Sequence, residues 1–375
     1  MTAFAILRSD TTVIGRWLWT VDKTLLALLL LLMGVGFLLL FAASPAVAEG
    51  HGLSPYYFVM KQGILLPIAL LILVGTSLLT PKGVRRIACL GLLFTYAALV
   101  ATLFLAPEIK GATRWVSIAG FTLQASEFAK PTLAVVSAWM FAEWAKNPVF
   151  PGRLVALLLY ALAAGLIILQ PDLGMTIVLS AVWWGQFFLA GMPLLWLIIF
   201  IPGVMGAGVL AYTLLPHVKS RMDRFLNPDT GDTYQIDQSL RAIGEGGWFG
   251  VGPGEGHIKN ALPDAHADFI FAVAVEEFGV IACSLLLLLI VGIFWRGCRH
   301  VLKQDNLFIM LAVSGILIQF ITQSFINIAS TVHLIPTKGM TLPFVSYGGS
   351  SLLALAFGMG VVLALTRKGA AERLS

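Results

Sequence analysis

Three short stretches of this sequence gather residues able to handle protons and anions. In Leu262-Pro-Asp-Ala-His-Ala-Asp-Phe-Ile270, Asp264 and Asp268 are four apart, so on a helix they would share one face near its start. Carboxylates are stabilised at helix N-termini by the backbone dipole, which accounts well for Asp264. Asp268 stands closer to the apolar run that follows. Burial there would raise its pKa and make it a better base. Spacing alone leaves a dipole role and a catalytic role both open for Asp268.

The second stretch is Gly111-Ala-Thr-Arg-Trp115, followed by Gln124-Ala-Ser-Glu-Phe-Ala-Lys-Pro131. Arg114 beside Trp115 reads either as an anion contact or as a membrane-interface anchor. Ser126 is placed to cap a helix. Glu127 and Lys130, three apart, lie on one helical face and form a structural buried pair. The third stretch is Pro336-Thr-Lys-Gly-Met-Thr-Leu-Pro-Phe-Val-Ser-Tyr-Gly-Gly-Ser-Ser351. Its Lys338 could meet a phosphate or remain a free surface lysine. Its Gly348, Gly349, Ser350 and Ser351 would let helices approach closely. Glu276 and Glu277 lie roughly 12 Å beyond Asp268 along one helix. Adjacent residues point about 100° apart, so at least one of these intramembrane glutamates should face the bundle interior as a polar contact.

Other chemistries lack their residues. The sequence has no G-K-[ST] after its glycine-rich stretch, no C-x-x-C or H-E-x-x-H, and no G-x-S-x-G. A nucleotide-binding loop, a zinc site and a serine-hydrolase elbow are therefore not indicated. Cys89, Cys283 and Cys298 are an odd number in mostly apolar surroundings, which implies no disulfide framework.

The elements that must position these residues are membrane helices. Of 375 residues, 58% are hydrophobic and only 11% charged. Soluble domains carry roughly 25% charge, so this chain could not cover a water-facing surface. The mean hydropathy is +0.90. Crossing the hydrocarbon core takes about 20 mainly apolar residues. Ten stretches qualify: 24–44, 57–79, 86–106, 127–145, 154–170, 171–190, 193–215, 268–295, 306–329 and 342–366. Gln170-Pro171-Asp172 makes a tight hairpin between the fifth and sixth. The first run is too long for the core of a cleaved signal peptide, although Ala46-Val47-Ala48 has the form of a cleavage site.

Fourteen of the 24 lysines and arginines fall in the termini and the loops on their side, against Lys110, Arg114 and Lys338 in the short opposite loops. That bias places both termini in the cytoplasm. It also disposes of nucleic acid as a partner, because the positive charge is spread over short loops. The expected fold is an all-α polytopic membrane protein of about ten transmembrane helices. It is a single domain over 1–375, with a cytoplasmic segment 1–23, a large extracytoplasmic loop 216–267 between helices seven and eight, and a cytoplasmic tail 367–375. Seven glycines within residues 244–256 suggest a mobile part of that loop.

At the three polar stretches the sequence resembles the SEDS family (shape, elongation, division and sporulation), multi-spanning proteins of bacterial cell-wall synthesis. The likeness covers almost the whole chain. Leu262–Phe271 and Leu342–Ser351 resemble family hallmarks, and Pro336–Pro343 looks like the division branch rather than the elongation branch. Ala267 departs from the pattern, since relatives often carry Thr there, and leaves helix capping to Asp264. The resemblance implies a peptidoglycan glycosyltransferase of the bacterial cytoplasmic (inner) membrane at the division septum. It would polymerise lipid II, a disaccharide-pentapeptide on undecaprenyl diphosphate.

Asp268 matches the family's essential aspartate, Arg114 its basic residue before helix four, and Glu127 with Lys130 its buried pair. On that reading Asp268 is a general base in an inverting displacement. Arg114, Lys338, His266 and Ser346 are candidates to bind diphosphate or sugar. A divalent cation such as Mg2+ could share the anion's charge, although no carboxylate cluster fixes one. The implied partners are a class B penicillin-binding protein transpeptidase, other divisome proteins and membrane lipid. Two other readings remain open from the residues. Lys61, Lys130, Glu276 and Glu277 are also what a lipid II flippase would carry, and a non-catalytic scaffold could recruit the transpeptidase.

Overall fold

The structure, a computed structural model, describes residues 12–106, 114–118, 121–193, 195–227 and 233–370. Of the basic residues counted above for orientation, Arg8 and Arg373 on the cytoplasmic side and Lys110 on the other lie outside the described residues, as does Gly111–Thr113.

Helix α1 (Val13–Thr20) leads into α2 (Lys23–Ala43), short α3 (Pro45–Gly50), α4 (Tyr57–Ser77) and α5 (Pro81–Leu105). Strands β1 (Val116–Ile118) and β2 (Phe121–Leu123) then pair antiparallel, with Val116 opposite Leu123. This small ribbon is the one addition to an otherwise helical architecture among the described residues. There follow α6 (Ala125–Lys146), α7 (Gly152–Leu169), α8 (Leu173–Leu189), α9 (Trp196–Leu214), α10 (Pro216–Leu226) and α11 (Tyr234–Gly246). A 3-10 turn (Ile258–Ala261) precedes α12 (Ile270–Val301), α13 (Leu307–Thr331) and α14 (Gly349–Leu365).

Each of the ten apolar stretches contains one helix. By length and composition, six of them can cross a membrane: α2, α4, α5, α7, α12 and α13. A seventh is added if α9 and α10, bent by 100°, form one span. Helices α8 and α14 have only 17 residues, and α6 is made more polar by Ser126, Glu127, Lys130, Thr132 and Ser137. The chain is a multi-pass membrane protein.

Polar as it is, α6 lies at the centre. Sixteen of its 22 residues are buried, and it packs against α5, α7, α8, α13 and α14. A helix buried all round needs small side chains to admit its neighbours, and α6 is rich in Ala and Ser. Ser126 does not cap it. The helix starts at Ala125 with Gln124 at the N-cap position, and the Ser126 hydroxyl is buried without a hydrogen-bond partner.

Helix α12 is broken at Gly279 (φ 79°, ψ 171°). A break strands backbone groups on both sides, and the glycine-rich loop satisfies them. Val251 and Gly252 N–H donate to the Glu276 and Glu277 carbonyls at 2.9 and 3.1 Å. In return, Val280 and Ile281 N–H donate to Gly247 and Trp248 carbonyls at 3.0 and 3.2 Å. The approach is so close that a Cβ on Gly279 would lie 2.4 Å from Gly250 N. The glycines expected to confer mobility thus serve geometry: Gly247, Gly250 and Gly252 all have positive φ.

Candidate active site

Asp268 ends a turn over 263–268, just ahead of α12, instead of sitting on the helix with Asp264. Asp264 takes a left-handed backbone (φ 54°), and its carbonyl accepts the Asp268 N–H at 3.0 Å. The two carboxylates therefore share no helical face. Asp264 does not cap α12, whose N-cap Phe269 makes no side-chain bond. Buried Asn327 on α13 pins this turn. Its Nδ2 donates to the Asp268 carbonyl at 3.0 Å and to the Met340 carbonyl at 2.6 Å. The Asp268 carboxylate lies against Gly339, where a Cβ would stand 2.7 Å from Oδ2. It is thus half-buried beside the segment that carries Lys338.

Lys338 is not a free surface lysine. Its Nζ donates to Asp172 Oδ1 at 2.8 Å. Arg114 Nε lies 3.6 Å from Asp172 Oδ2, and the same guanidinium donates to the carbonyls of Gln170 and Pro171. Asp172 is the N-cap of α8, accepting from Met175 N–H at 3.3 Å, and Gln124 Nε2 donates to its Oδ2 at 3.3 Å. Burial would push the Asp172 carboxyl up, but the Lys338 and Arg114 charges overcome this and hold it below its usual value. Burial pushes Lys338 down, partly restored by Asp172. Asp172 is a site residue that sequence reasoning took only for a helix start.

A cavity of about 350 Å³ opens beside this cluster, between α8, α10 and α13. Leu173, Ile177, Val218, Met222, Ile326 and Ile335 make it mainly apolar, and Lys338 and Arg221 bring charge to it. A second cavity of about 150 Å³ adjoins it, lined by Arg221, Arg224, Phe225, Thr233, Gln235, Ile236 and Thr337.

The buried pair braces this site from below. Lys130 Nζ lies 2.7 Å from Glu127 and donates to Gln323 Oε1 at 2.9 Å. Gln323 Nε2 in turn donates to the Thr341 carbonyl at 3.2 Å and to Ser351 Oγ at 3.3 Å. The pair therefore reaches the 336–348 segment that presents Lys338. Ser346 closes that segment on itself, its Oγ accepting the Leu342 N–H at 2.8 Å, so α14 begins at Gly349 and not at 342.

His266 is also withdrawn from the cavities. It stacks on Phe58 with centroids 4.1 Å apart and lies 5.3 Å from the Tyr347 ring. Burial pushes its pKa down to about 4, so the imidazole is neutral at physiological pH.

Glu276 and Glu277 are both buried, and each makes a polar contact. Glu276 accepts the backbone N–H groups of Ile258 and Lys259 at 2.7 and 2.9 Å, and Glu277 pairs with Lys259 Nζ. One residue of the outer loop thus engages both glutamates, through its backbone and its side chain. Lys61 lies over the Tyr57 ring, 4.7 Å from its centroid.

Among the described residues, no three His, Cys, Asp or Glu side chains converge as metal ligands. Asp172 already has both oxygens engaged by Lys338, Arg114 and Gln124.

A family model described as "Cell cycle protein", covering FtsW, RodA and SpoVE, matches residues 22–370. The chain is 43% identical over 366 residues to the probable peptidoglycan glycosyltransferase FtsW of Caulobacter vibrioides, covering 97% of this chain and 94% of that one. It is 34% identical over 353 residues to the protein of the same name from Pseudoalteromonas translucida, covering 91% and 88%. Among solved structures, a chain of a peptidoglycan synthase complex that coordinates polymerization and crosslinking superposes with a TM-score of 0.75 at 25% identity, covering 94% of this chain and 98% of that one. The rod shape determining protein RodA of Thermus thermophilus gives 0.66 at 26% identity, covering 95% and 98%.

Proposed function

The chain belongs to the FtsW/RodA/SpoVE family of cell cycle proteins, and from that premise we propose that it is a septal peptidoglycan glycosyltransferase. It polymerises lipid II at the outer face of the cytoplasmic membrane, beside a class B penicillin-binding protein and other divisome proteins. The observation that carries this reading is the position of the Asp268 carboxylate against Gly339, one residue from Lys338 and its cation cluster.

The chemistry follows from charge and geometry. Asp268 takes the proton from the acceptor sugar's 4-hydroxyl as that oxygen attacks the donor's anomeric carbon. The bond from that carbon to the diphosphate oxygen breaks, and the diphosphate leaves with the electron pair. A single displacement converts the α-linked donor into a β-1,4 link. General-base help of this kind contributes roughly 10²–10⁴-fold. Asp172 neutralises one of the two charges on Arg114 and Lys338, so the cluster keeps a net positive charge for the developing anion. No step is routed through a divalent cation.

The test is reconstitution of the purified protein in liposomes containing lipid II, with its transpeptidase partner, scoring polymer and translocation separately. Glycan polymer is the expected product. Translocation without polymer would make the protein a flippase, and neither activity would leave a scaffold.

A further inference from the structure

We propose that Arg221 on α10 is the side chain that grips the diphosphate of the lipid-linked substrate, with the tail in the apolar cavity on one side and the sugar in the polar cavity on the other. This rests on the glycosyltransferase reading above.

The argument begins with which cations are already engaged. Lys338 and Arg114 share Asp172, and Arg114 also donates to two carbonyls. Arg221 differs. Among the described residues it has no hydrogen-bond or ion-pair partner, although it lies within electrostatic reach of Arg114, Arg224, Asp172 and Asp268. A guanidinium stays charged and carries five donors in a planar fork. Holding that fork partly buried with no protein acceptor leaves its donors to whatever fills the cavities, water or a ligand that brings better acceptors. A diphosphate does so in bidentate fashion.

The surroundings narrow the ligand. Arg221 and Thr337 line both cavities and so stand on the boundary between them. On one side are apolar groups such as Leu173, Val218 and Ile326. On the other, Arg224, Thr233 and Gln235 offer donors and acceptors suited to a sugar. A molecule that is apolar, then anionic, then polar along its length matches this sequence of environments. A polyprenyl diphosphate sugar has that order. An ordinary anionic phospholipid shares the apolar tail and the phosphate.

Binding can be measured without turnover. The full-length purified protein would be titrated with undecaprenyl diphosphate, undecaprenol and phosphatidylglycerol, and lipid II kinetics run in parallel. Arg221→Ala is expected to weaken undecaprenyl diphosphate binding at least tenfold, leave undecaprenol binding unchanged and raise the KM for lipid II. Arg221→Lys should recover part of the loss, which a purely structural role would not predict. If Arg221→Ala does not fold, Arg221→Gln keeps the size and removes the charge. Arg153→Ala, at a cation stacked on Trp144 away from both cavities, should bind like wild type. Wild-type affinity in the Ala or Gln variant would overturn the proposal, as would equal competition by phosphatidylglycerol. A wild-type protein that binds the diphosphate lipid through Arg221 yet forms no polymer would sink the glycosyltransferase reading and leave this assignment standing.

Discussion

Two aspartates do the same local job at ends of the molecule that the charge bias assigns to opposite sides of the membrane. Asp22 caps α2, accepting from Thr24 and Leu25 N–H at 3.0 and 3.1 Å, and binds Arg296 at 2.7 Å together with His300. Asp172 caps α8 and binds Lys338 and Arg114. Each is a helix cap with two basic partners. What differs is the space beyond. Neither cavity touches Asp22, and nearby Arg367 is likewise engaged, donating to the Ser77 and Leu78 carbonyls. Lys338, by contrast, forms part of a cavity wall. The same motif meets packed protein at one end of the molecule and borders a cavity at the other.

The largest break in this comparison should come from paired substitutions. Asp172→Asn leaves two part-buried cations without their counter-ion, where breaking a fully buried pair would cost about 3–5 kcal/mol. Polymerisation should fall at least tenfold per folded molecule. Asp22→Asn should lower the melting temperature only, by an effect of about 1 kcal/mol, because Arg296 and His300 are each roughly one-third exposed and screened by solvent. Equal loss of activity in both folded variants would erase the distinction.

A pH profile gives a smaller and sharper contrast. Lys338 has a folded pKa below its ordinary value of 10.5, so its charge is lost as pH rises through that lower value. Polymerisation should therefore decline at a pH below 10.5, and Lys338→Arg should move the decline upward. Burial raises the Asp22 pKa, but the bonds from Arg296 and His300 outweigh it and bring it to about 2, from 3.8. The Asp22 staple is therefore at full strength above pH 3.8 and fails only as pH falls through about 2. Thermal melts across pH should show no Asp22-dependent step near neutrality. The smallest effect belongs to Ser126→Ala, which removes a buried hydroxyl without a partner. Its melting temperature should stay the same or rise slightly.

Much of this arrangement was legible in the sequence, for identifiable reasons. The bilayer demands long apolar runs, so the helices announce themselves. Glu127 and Lys130 were readable because both lie on one helix, three residues apart. The Asp172 cluster was not, since its partners at 114 and 338 meet it only through packing of separate helices. Glu276 and Glu277 were readable as polar contacts, but their partner was not, since Ile258 and Lys259 come from the separate 3-10 turn. A glycine two residues after the Glu-Glu pair, in an otherwise apolar helix, was the available signal. Arg221 was not singled out in the sequence, and what marks it in the fold is its place on the boundary of two cavities without a hydrogen-bond or ion-pair partner among the described residues.

The central claim is that Asp268 is the base, and the most direct measurement is lipid II polymerisation by purified wild-type and Asp268→Asn proteins, each with the transpeptidase partner. The account predicts a loss of about 10²-fold or more in polymer formation, with folding and partner binding retained. A normal rate from Asp268→Asn would contradict it.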